Sequence, residues 1–394
     1  MHPTKSIKSQ KSEELENKKI ILGVTGSIAA IMSIKLSREL IRHGAEVQAV
    51  MTESAQKIIH PYSLKYATGN PVIEEITGDI EHVREVGKQN QADLLLIAPS
   101  TANTIGKISS GIDDTPVTTF ATTAASTNVP IIIVPAMHQS MLDQEIISEK
   151  IDYLKNKGIN FIDPKIEEGK AKMADLDQIV FETKKQLMPN DLSGKKILVT
   201  GGPTYTKVDE VRILTNRSSG ETGVRIAQEA SKRGADVTFI HGDLEKNEPR
   251  GVKKIFTPQY DQMKERVLKE LEQDQYDYLI STAAISDFKA KVNKKKLDSS
   301  KKQEIELNKA KKIVEEVSKN FSKLDIIIFK LDKDFQEIKK KAKGLLTYST
   351  FVVGNKIDEM DKEEKNFLII DKDTEKELKA NKKELANFLM DLID

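Results

Sequence analysis

Short apolar runs rich in Ile, Val and Leu recur along the chain, at residues 20–24, 47–50, 94–98 and 131–134 in the first half. The second half repeats the pattern at 197–200, 237–240, 278–281, 325–329 and 351–353. The runs are continuous rather than alternating, so both faces of each strand are buried, as in a parallel sheet covered by helices. Between them, residues 29–42 and 222–233 carry apolar side chains at helical spacing. Each of these helices stops at a glycine, Gly44 after His43 in one case and Gly234 in the other. Strand and helix in alternation predict an α/β protein built of doubly wound, parallel-sheet, Rossmann-like domains.

The pattern also starts over. Lys18-Lys19-Ile20-Ile21-Leu22-Gly23-Val24-Thr25-Gly26 opens the first half, and Lys195-Lys196-Ile197-Leu198-Val199-Thr200-Gly201-Gly202 opens the second. Both are strands that run into a glycine turn. Residues 186–194, polar and containing Pro189 and Gly194, read as a linker. The expected organisation is a disordered extension over 1–18, one domain over 19–185, the linker, and a second domain over 195–394.

The chain's 394 residues suit two or three domains. Lys and Arg number 62 against 61 Asp and Glu, so no global field favours nucleic acid or an anionic membrane. The absence of cysteine excludes disulfides, thiolate metal sites and a cysteine nucleophile, and fits a reducing cytoplasm. No apolar run approaches the roughly 20 residues that span a bilayer. The first 19 residues are polar and lysine-rich with no hydrophobic centre, unlike a secretory signal. A cytoplasmic enzyme is the expectation.

Candidate chemistry sits at the strand exits. Gly23-Val24-Thr25-Gly26-Ser27 is a strand-turn-helix corner whose backbone N–H groups suit a phosphate. A plain tight turn competes with that reading. The acid that would bind a ribose after the next strand is missing, and Met51-Thr52-Glu53-Ser54 offers hydroxyls first, which favours a mononucleotide. A second exit, Pro99-Ser100-Thr101-Ala102-Asn103, is a cluster of hydroxyl and amide side chains. A third ends in Pro135-Ala136-Met137-His138-Gln139-Ser140-Met141.

Together with His82, ahead of the strand at 94, these segments resemble the homo-oligomeric flavin-containing cysteine decarboxylases, and among them the phosphopantothenoylcysteine decarboxylase branch. A lone histidine is more often structural, as His43 beside its helix-stop glycine illustrates. The resemblance, however, puts the active-site base at His82. It implies a flavodoxin-like domain that binds FMN through Gly26, Ser27, Thr52, Ser100, Thr101 and Asn103. It places the substrate at Ala136, Met137, His138, Lys170 and Lys172. The implied chemistry oxidises the cysteinyl side to a thioaldehyde, releases carbon dioxide, and returns the electrons with no net redox change. Two departures stand out. Position 138 is His where the family has Asn, and the flap at 169–175 is short and lacks the family's cysteine. Of the flap's Lys170, Lys172 and Asp175, a lysine with its pKa lowered by desolvation is the better candidate for the missing proton. The competing reading is that these lysines only bind the substrate phosphate.

The second half carries Thr200-Gly201-Gly202-Pro203-Thr204, Asn216-Arg217-Ser218-Ser219-Gly220 before a helix, Ala283-Ala284-Ile285-Ser286-Asp287-Phe288 at a strand end, and Lys294-Lys295-Lys296-Leu297-Asp298-Ser299. A charge run is usually a solvated face, but this one directly follows an apparent nucleotide corner. The set, with Val353-Gly354-Asn355, resembles phosphopantothenate–cysteine ligases, and the order of the halves resembles the fused bifunctional enzymes of coenzyme A biosynthesis. The resemblance implies activation of the 4'-phosphopantothenate carboxylate as an acyl-nucleotide, which the amine of cysteine then displaces. Asn216 would hold the acyl intermediate. Ser218, Ser219, Gly220, Ala283, Asp287, Lys296 and Phe329 would hold CTP or ATP, with Mg²⁺ on ligands the sequence does not identify. Family precedent implies a homo-oligomer, trimeric through the flavin domain and dimeric through the ligase.

Two other classes compete. A non-catalytic binding subunit of the same fold is opposed by the retained His82 and Asn103 segment. A nicotinamide-dependent dehydrogenase of two Rossmann units is opposed by the missing acid after the second strand.

Overall fold

Burial on both faces decides how the apolar runs assemble. The protein's computed structural model describes residues 2–394 apart from 90–91, 246–247, 292–295, 298–299, 301 and 303, and of Lys5 the backbone alone. The chain falls into two units, Met1–Met188 and Pro189–Asp394.

The strands of the first unit are β1 (Lys19–Val24), β2 (Glu46–Met51), β3 (Leu94–Ser100), β4 (Ile131–Pro135), β5 (Met137–His138), β6 (Asn160–Phe161), β7 (Lys165–Glu167) and β8 (Lys170–Lys172). Five form one parallel sheet in the order β2-β1-β3-β4-β6, and β5-β8-β7 form a small antiparallel one. Counted within the large sheet, the order is that of flavodoxin-like folds. The helices are α1 (Pro3–Ile7), α2 (Ser33–Arg42), α3 (Glu53–Gln56), α4 (Pro61–Thr68), α5 (Glu81–Val86), α6 (Ala102–Ser109), α7 (Pro116–Thr127), α8 (Gln139–Leu142), α9 (Glu145–Asn156) and α10 (Leu176–Leu187). Alternate strand residues face opposite layers. Ile20, Leu22 and Leu96 pack with Leu36, Leu40 and Ile179 on one side. Ile21, Leu95 and Ile97 pack with Val117, Phe120 and Leu154 on the other. Each fully buried Leu, Ile or Phe contributes about 1.5–3 kcal/mol, so the two layers together outweigh any single polar contact.

The first 18 residues are not the disordered extension the sequence suggested. They contain α1, and Leu15 is completely buried in the core beneath α2. Polar contacts fix the same stretch: Ser12 Oγ lies 2.7 Å from His43 Nδ1, Glu14 pairs with Lys184 at 2.7 Å, and Leu15 N–H donates to His43 C=O at 2.9 Å. The segment passes so close to the end of α2 that a Cβ on Gly44 (φ +105°) would meet Glu16 N at 2.8 Å. A polar, lysine-rich composition hid one leucine that has a pocket to fill.

The second unit contains β9 (Lys196–Gly201), β10 (Tyr205–Lys207), β11 (Ile213–Thr215), β12 (Asp236–His241), β13 (Lys253–Phe256), β14 (Tyr278–Ser281), β15 (Phe288–Ala290), β16 (Leu307–Lys309), β17 (Asp325–Asp332), β18 (Phe351–Lys356), β19 (Lys365–Ile370) and β20 (Glu375–Ala380). Its helices are α11 (Glu221–Lys232), α12 (Tyr260–Gln273), α13 (Ile313–Asn320), α14 (Phe335–Leu345) and α15 (Lys382–Ile393). The main sheet runs β13-β12-β9-β14-β17-β18-β19-β20, parallel as far as β18 and antiparallel beyond it. Its first six strands follow the Rossmann order. Helices α11 and α15 cover one face through Ile226, Ala230, Leu385 and Leu389, and α12 and α13 cover the other through Met263, Val267 and Val317. The antiparallel β19–β20 extension was not read from the sequence. Strand β20 is almost wholly exposed and polar, a lysine-bearing edge with no apolar run to announce it.

The expected linker is shorter than 186–194. Helix α10 runs to Leu187, while Leu192 is fully buried in the second unit's core and Asp191 pairs with the nearly buried Arg233. Among the described residues no helix is long and apolar enough to cross a membrane.

Candidate functional sites

In an open parallel sheet, ligands bind outside the carboxyl ends of the strands, where the strand order reverses. In the first unit that point lies between β1 and β3, and side-chain hydroxyls stitch it shut. Thr25 Oγ1 donates to Pro99 C=O at 2.9 Å and accepts from Thr101 N–H at 3.1 Å. Ser33 Oγ donates to Ala98 C=O at 2.9 Å, and Ala136 N–H donates to Ser100 C=O at 3.0 Å, which brings in the exit of β4. Gly26, Ser27, Ser100, Thr101 and Ala136 therefore share one corner. A Cβ on Gly26 would lie 2.5 Å from Ser54 Cβ, so only glycine lets the turn close onto the exit of β2.

Three hydroxyls marked for the cofactor already have work within the chain. Ser27 Oγ accepts from Ala29 N–H, Thr52 Oγ1 from Ala55 N–H, and Thr101 Oγ1 from Thr104 N–H, each starting a helical turn. Ser100 Oγ is different: it is completely buried and has no partner among the described residues. Such a group costs about 1–3 kcal/mol unless something bonds to it. Asn103 is exposed on the first turn of α6.

His82 stands at the start of α5. The turn before it is fixed by Glu81, whose carboxylate accepts from Thr77 N–H at 2.9 Å and from the Thr77 hydroxyl. Those bonds hold the Glu81 carboxyl below the usual range. Ile80, at φ 44°, is left-handed, a strained conformation for a β-branched residue. The outcome is a half-buried imidazole whose Nδ1 is buried and has no partner among the described residues. Helix α5 packs on α7 rather than on the β1–β3 corner itself.

The substrate segment and the short flap form one sheet. Strands β7 and β8 are joined by Glu168 (φ 53°) and Gly169 (φ 67°), two left-handed residues that make a tight hairpin. Strand β8 pairs with β5, placing Ala171 opposite Met137 and Lys170 opposite the exposed His138. His138 Nδ1 is engaged locally with Ser140, 2.9 Å from its Oγ. The expectation of a lysine with a lowered pKa fails for Lys172. The hydrogen bonds its ammonium donates to Glu167 at 3.0 Å and Glu168 at 3.3 Å raise its pKa, so it holds its proton. Sequence reading also passed over Gln139, whose N–H reaches the flap at Gly169 C=O (3.4 Å) and whose Oε1 is buried without a partner among the described residues. Its place between His138 and Met141 was the available signal.

In the second unit the strand order reverses between β9 and β14, and glycines close that corner. A Cβ on Gly223, in α11, would meet Thr282 Oγ1 at 2.5 Å and Gly201 Cα at 3.0 Å. One on Gly220 (φ +72°) would meet Leu244 Cδ2 at 2.3 Å and Gly202 Cα at 3.0 Å. The start of α11 thus lies against the Gly201-Gly202 turn. Ser218 Oγ and Ser219 Oγ accept from the N–H groups of Gly220 and Glu221, at 3.3 and 3.4 Å. Asn216 Nδ2 donates to Ala284 and Ile285 C=O at 3.3 and 3.1 Å, which joins the Asn216–Gly220 loop to the exit of β14. Thr282 Oγ1 donates to Thr200 C=O at 2.6 Å, and Thr200 and Thr204 keep buried hydroxyls without partners among the described residues.

Asn216, Ser218, Ser219, Gly220 and the Ala283–Asp287 exit therefore meet, with Asp287 exposed and Ala283 half-buried. Phe329 is half-buried on β17. Lys296 is exposed and makes no hydrogen bond or ion pair with a described residue, while Lys294, Lys295, Asp298 and Ser299 of the same stretch lie outside the described residues. Among the described residues, no group of three or more His, Asp or Glu is arranged to hold a metal ion.

Residues 8–188 match the family described as Flavoprotein, and residues 192–394 match the DNA/pantothenate metabolism flavoprotein C-terminal domain. The coenzyme A biosynthesis bifunctional protein CoaBC of Thermococcus kodakarensis is 44% identical over 403 residues, covering 100% of this chain and 99% of that protein. That of Methanocaldococcus jannaschii is 43% identical over 86% of this chain and 82% of its own length. A solved C-terminal domain of a CoaBC protein is 28% identical, with a TM-score of 0.44, over 52% of this chain and 96% of that one. With both halves matched, and relatives of one kind along its whole length, the chain belongs to the CoaBC family of bifunctional coenzyme A biosynthesis enzymes.

Proposed function

We propose that the decarboxylation and the ligation of this family divide between the two units, and that the two corners carry them. The second unit joins 4'-phosphopantothenate to cysteine, and the first decarboxylates the product to 4'-phosphopantetheine. The observation that carries the reading is that each corner lies where its own sheet reverses order and gathers hydroxyl, amide and backbone groups there. His82 and Lys296 stand on elements outside the corners and are assigned from the resemblance to the family.

FMN fits the first corner. The orphaned Ser100 hydroxyl and the hydroxyl ends of Ser27, Thr52 and Thr101 would hold it, with Gly26 letting the backbone approach the phosphate and Asn103 at the rim. Bound FMN would supply the two-electron exchange that makes the carboxylate a leaving group. His82 Nδ1, buried and without a partner among the described residues, is the atom that takes and returns the proton. Ala136, Met137 and His138 grip the substrate carboxylate, Gln139 ties that grip to the flap, and Lys170 faces the substrate opposite His138. Lys172 serves as a fixed charge.

In the second corner, Ser218, Ser219 and Gly220 form a phosphate cradle at the start of α11. Asn216 orients the acyl carbonyl from its perch on Ala284 and Ile285. Ala283, Asp287 and Phe329 contact the nucleoside, and Lys296 neutralises phosphate. The nucleotide is CTP or ATP. Mg²⁺ would enter on the triphosphate. By family precedent the protein would be a homo-oligomer, trimeric through the flavin unit and dimeric through the ligase.

The test is a single reaction containing 4'-phosphopantothenate, cysteine, Mg²⁺ and either CTP or ATP, followed by mass spectrometry. Both the condensed and the decarboxylated products are expected, and heat-released cofactor should run as FMN. Release of FAD, or neither product with both nucleotides, would overturn the assignment.

A further inference from the structure

We propose that Asp209 and Arg212 are positioning residues for ligation, holding Lys296 through the backbone of Leu297, the residue that follows it. The inference rests on Lys296 being the lysine that meets the nucleotide phosphates.

Asp209 lies in the loop between β10 and β11, and its carboxylate is shielded from solvent although it carries charge. One oxygen, Oδ1, accepts from Val211 N–H at 2.8 Å and Arg212 N–H at 2.6 Å. That is an ordinary aspartate turn, and on its own it would explain the residue. The other oxygen does something the turn does not need. Oδ2 accepts from the Arg212 guanidinium and, 88 residues further along the chain, from Leu297 N–H at 3.0 Å. Arg212 Nη1 then donates to Leu297 C=O at 3.3 Å. Both backbone groups of one residue are thus taken by two side chains, as a neighbouring strand would take them.

The clamp falls one peptide bond after Lys296. Fixing Leu297 fixes the Lys296 backbone, so only the four-carbon stem remains to be ordered when a phosphate binds. An ammonium on an unanchored loop would lose far more freedom at that moment. The Leu297 N–H is the largest of the contacts that hold the Asp209 carboxyl well below the usual carboxylate range, so the charged form and the clamped segment stabilise each other.

The test uses the full chain with FMN bound. Asp209→Asn keeps an oxygen for the turn but replaces an acceptor facing Leu297 N–H by an amide N–H, and Arg212→Ala removes the second arm. In both variants, hydrogen exchange of the peptide containing Leu297 should accelerate. The kcat/KM for nucleotide should fall by roughly 10- to 100-fold, with the KM for cysteine and the decarboxylation rate unchanged. Arg212→Lys should recover part of the loss. Asp209→Asn combined with Lys296→Gln should be no worse than Lys296→Gln alone, because both act through one ammonium. Additive losses in that double variant would overturn the proposal, as would unchanged exchange at Leu297, which removes the clamp itself. A silent Lys296→Gln beside accelerated exchange would instead remove the reading of Lys296, and with it the clamp's role in ligation.

Discussion

The two units meet the same topological problem with different materials. In the first, the reversal point is stitched by hydroxyls: Thr25 bonds the Pro99 carbonyl and the Thr101 N–H, Ser33 bonds the Ala98 carbonyl, and Ser100 is left over, buried and with no partner among the described residues. In the second, it is closed by glycines, with Gly201 against Gly223 and Gly202 against Gly220 at backbone contact distance. The N–H groups opening α11 are shared with Ser218 and Ser219. Both corners also keep buried hydroxyls without partners among the described residues, Ser100 in the first and Thr200 and Thr204 in the second, so the contrast lies in what closes each turn rather than in what is left over.

The strongest way to break that division is to damage one site and watch the other. His82→Asn should lower decarboxylation by about 10²–10⁴-fold, the usual worth of a positioned proton carrier. Ligation should continue, so phosphopantothenoylcysteine should accumulate in the mass spectrum. Loss of both activities in a folded variant would mean that the two steps share a site. Asn216→Asp makes the converse cut. It sets a carboxylate against the carbonyls of Ala284 and Ile285, which now receive its amide. Ligation should fall by about 10²–10³-fold, while decarboxylation of supplied phosphopantothenoylcysteine is retained.

A smaller effect sharpens the contrast in materials. Gly223→Ala would force a methyl to within 2.5 Å of Thr282 Oγ1 and 3.0 Å of Gly201 Cα, backbone that cannot step aside. Overpacking of this kind costs about 1–3 kcal/mol, and calorimetry should show it in the second unit's transition alone. Thr25→Val, which removes the stitching hydroxyl in the first unit, should cost about 1 kcal/mol and loosen FMN. Movement of both transitions by either variant would show that the units do not melt independently.

Much of this was legible in the sequence where burial and chemistry coincide. The continuous apolar runs at 20–24, 94–98, 197–200 and 278–281 became central strands, and the helix stops at Gly44 and Gly234 are left-handed as expected. Segments whose order comes from one or two long-range contacts were opaque. Leu15 is a single apolar residue in a polar stretch, and Lys172 looked like a titratable donor until Glu167 and Glu168 folded beside it. The clamp on Leu297 joins the Asp209 carboxylate to a backbone N–H 88 residues away, a target that no side-chain pattern marks.

The smallest effect separates the units by acid. His43 lies under the N-terminal segment, only 14% exposed, with Lys184 Nζ at 3.0 Å and Ser12 Oγ at 2.7 Å both on Nδ1. Burial first, and then the Lys184 charge, push its pKa down from 6.5 to about 4, against the opposing pull of Glu14 and Glu39. The folded state therefore holds His43 neutral where the unfolded chain would protonate it. Stability from this group is complete above about pH 6.5 and is lost as the pH falls towards 4, because the unfolded state binds the extra proton. Between about pH 7 and 5.5 the loss comes to roughly 1 kcal/mol. In the second unit, Glu359 is buried and bonded by Asn366 N–H at 2.8 Å and by Lys356, and its pKa falls to about 2. Its contribution is complete above about pH 4.5 and is lost only as the pH falls from there towards 2. On mild acidification the first unit should soften while the second holds, and His43→Gln should flatten the first unit's response in that window. Calorimetry across the range decides the matter: parallel decline of both transitions, or a His43→Gln protein that keeps the slope, would move the acid sensitivity away from His43.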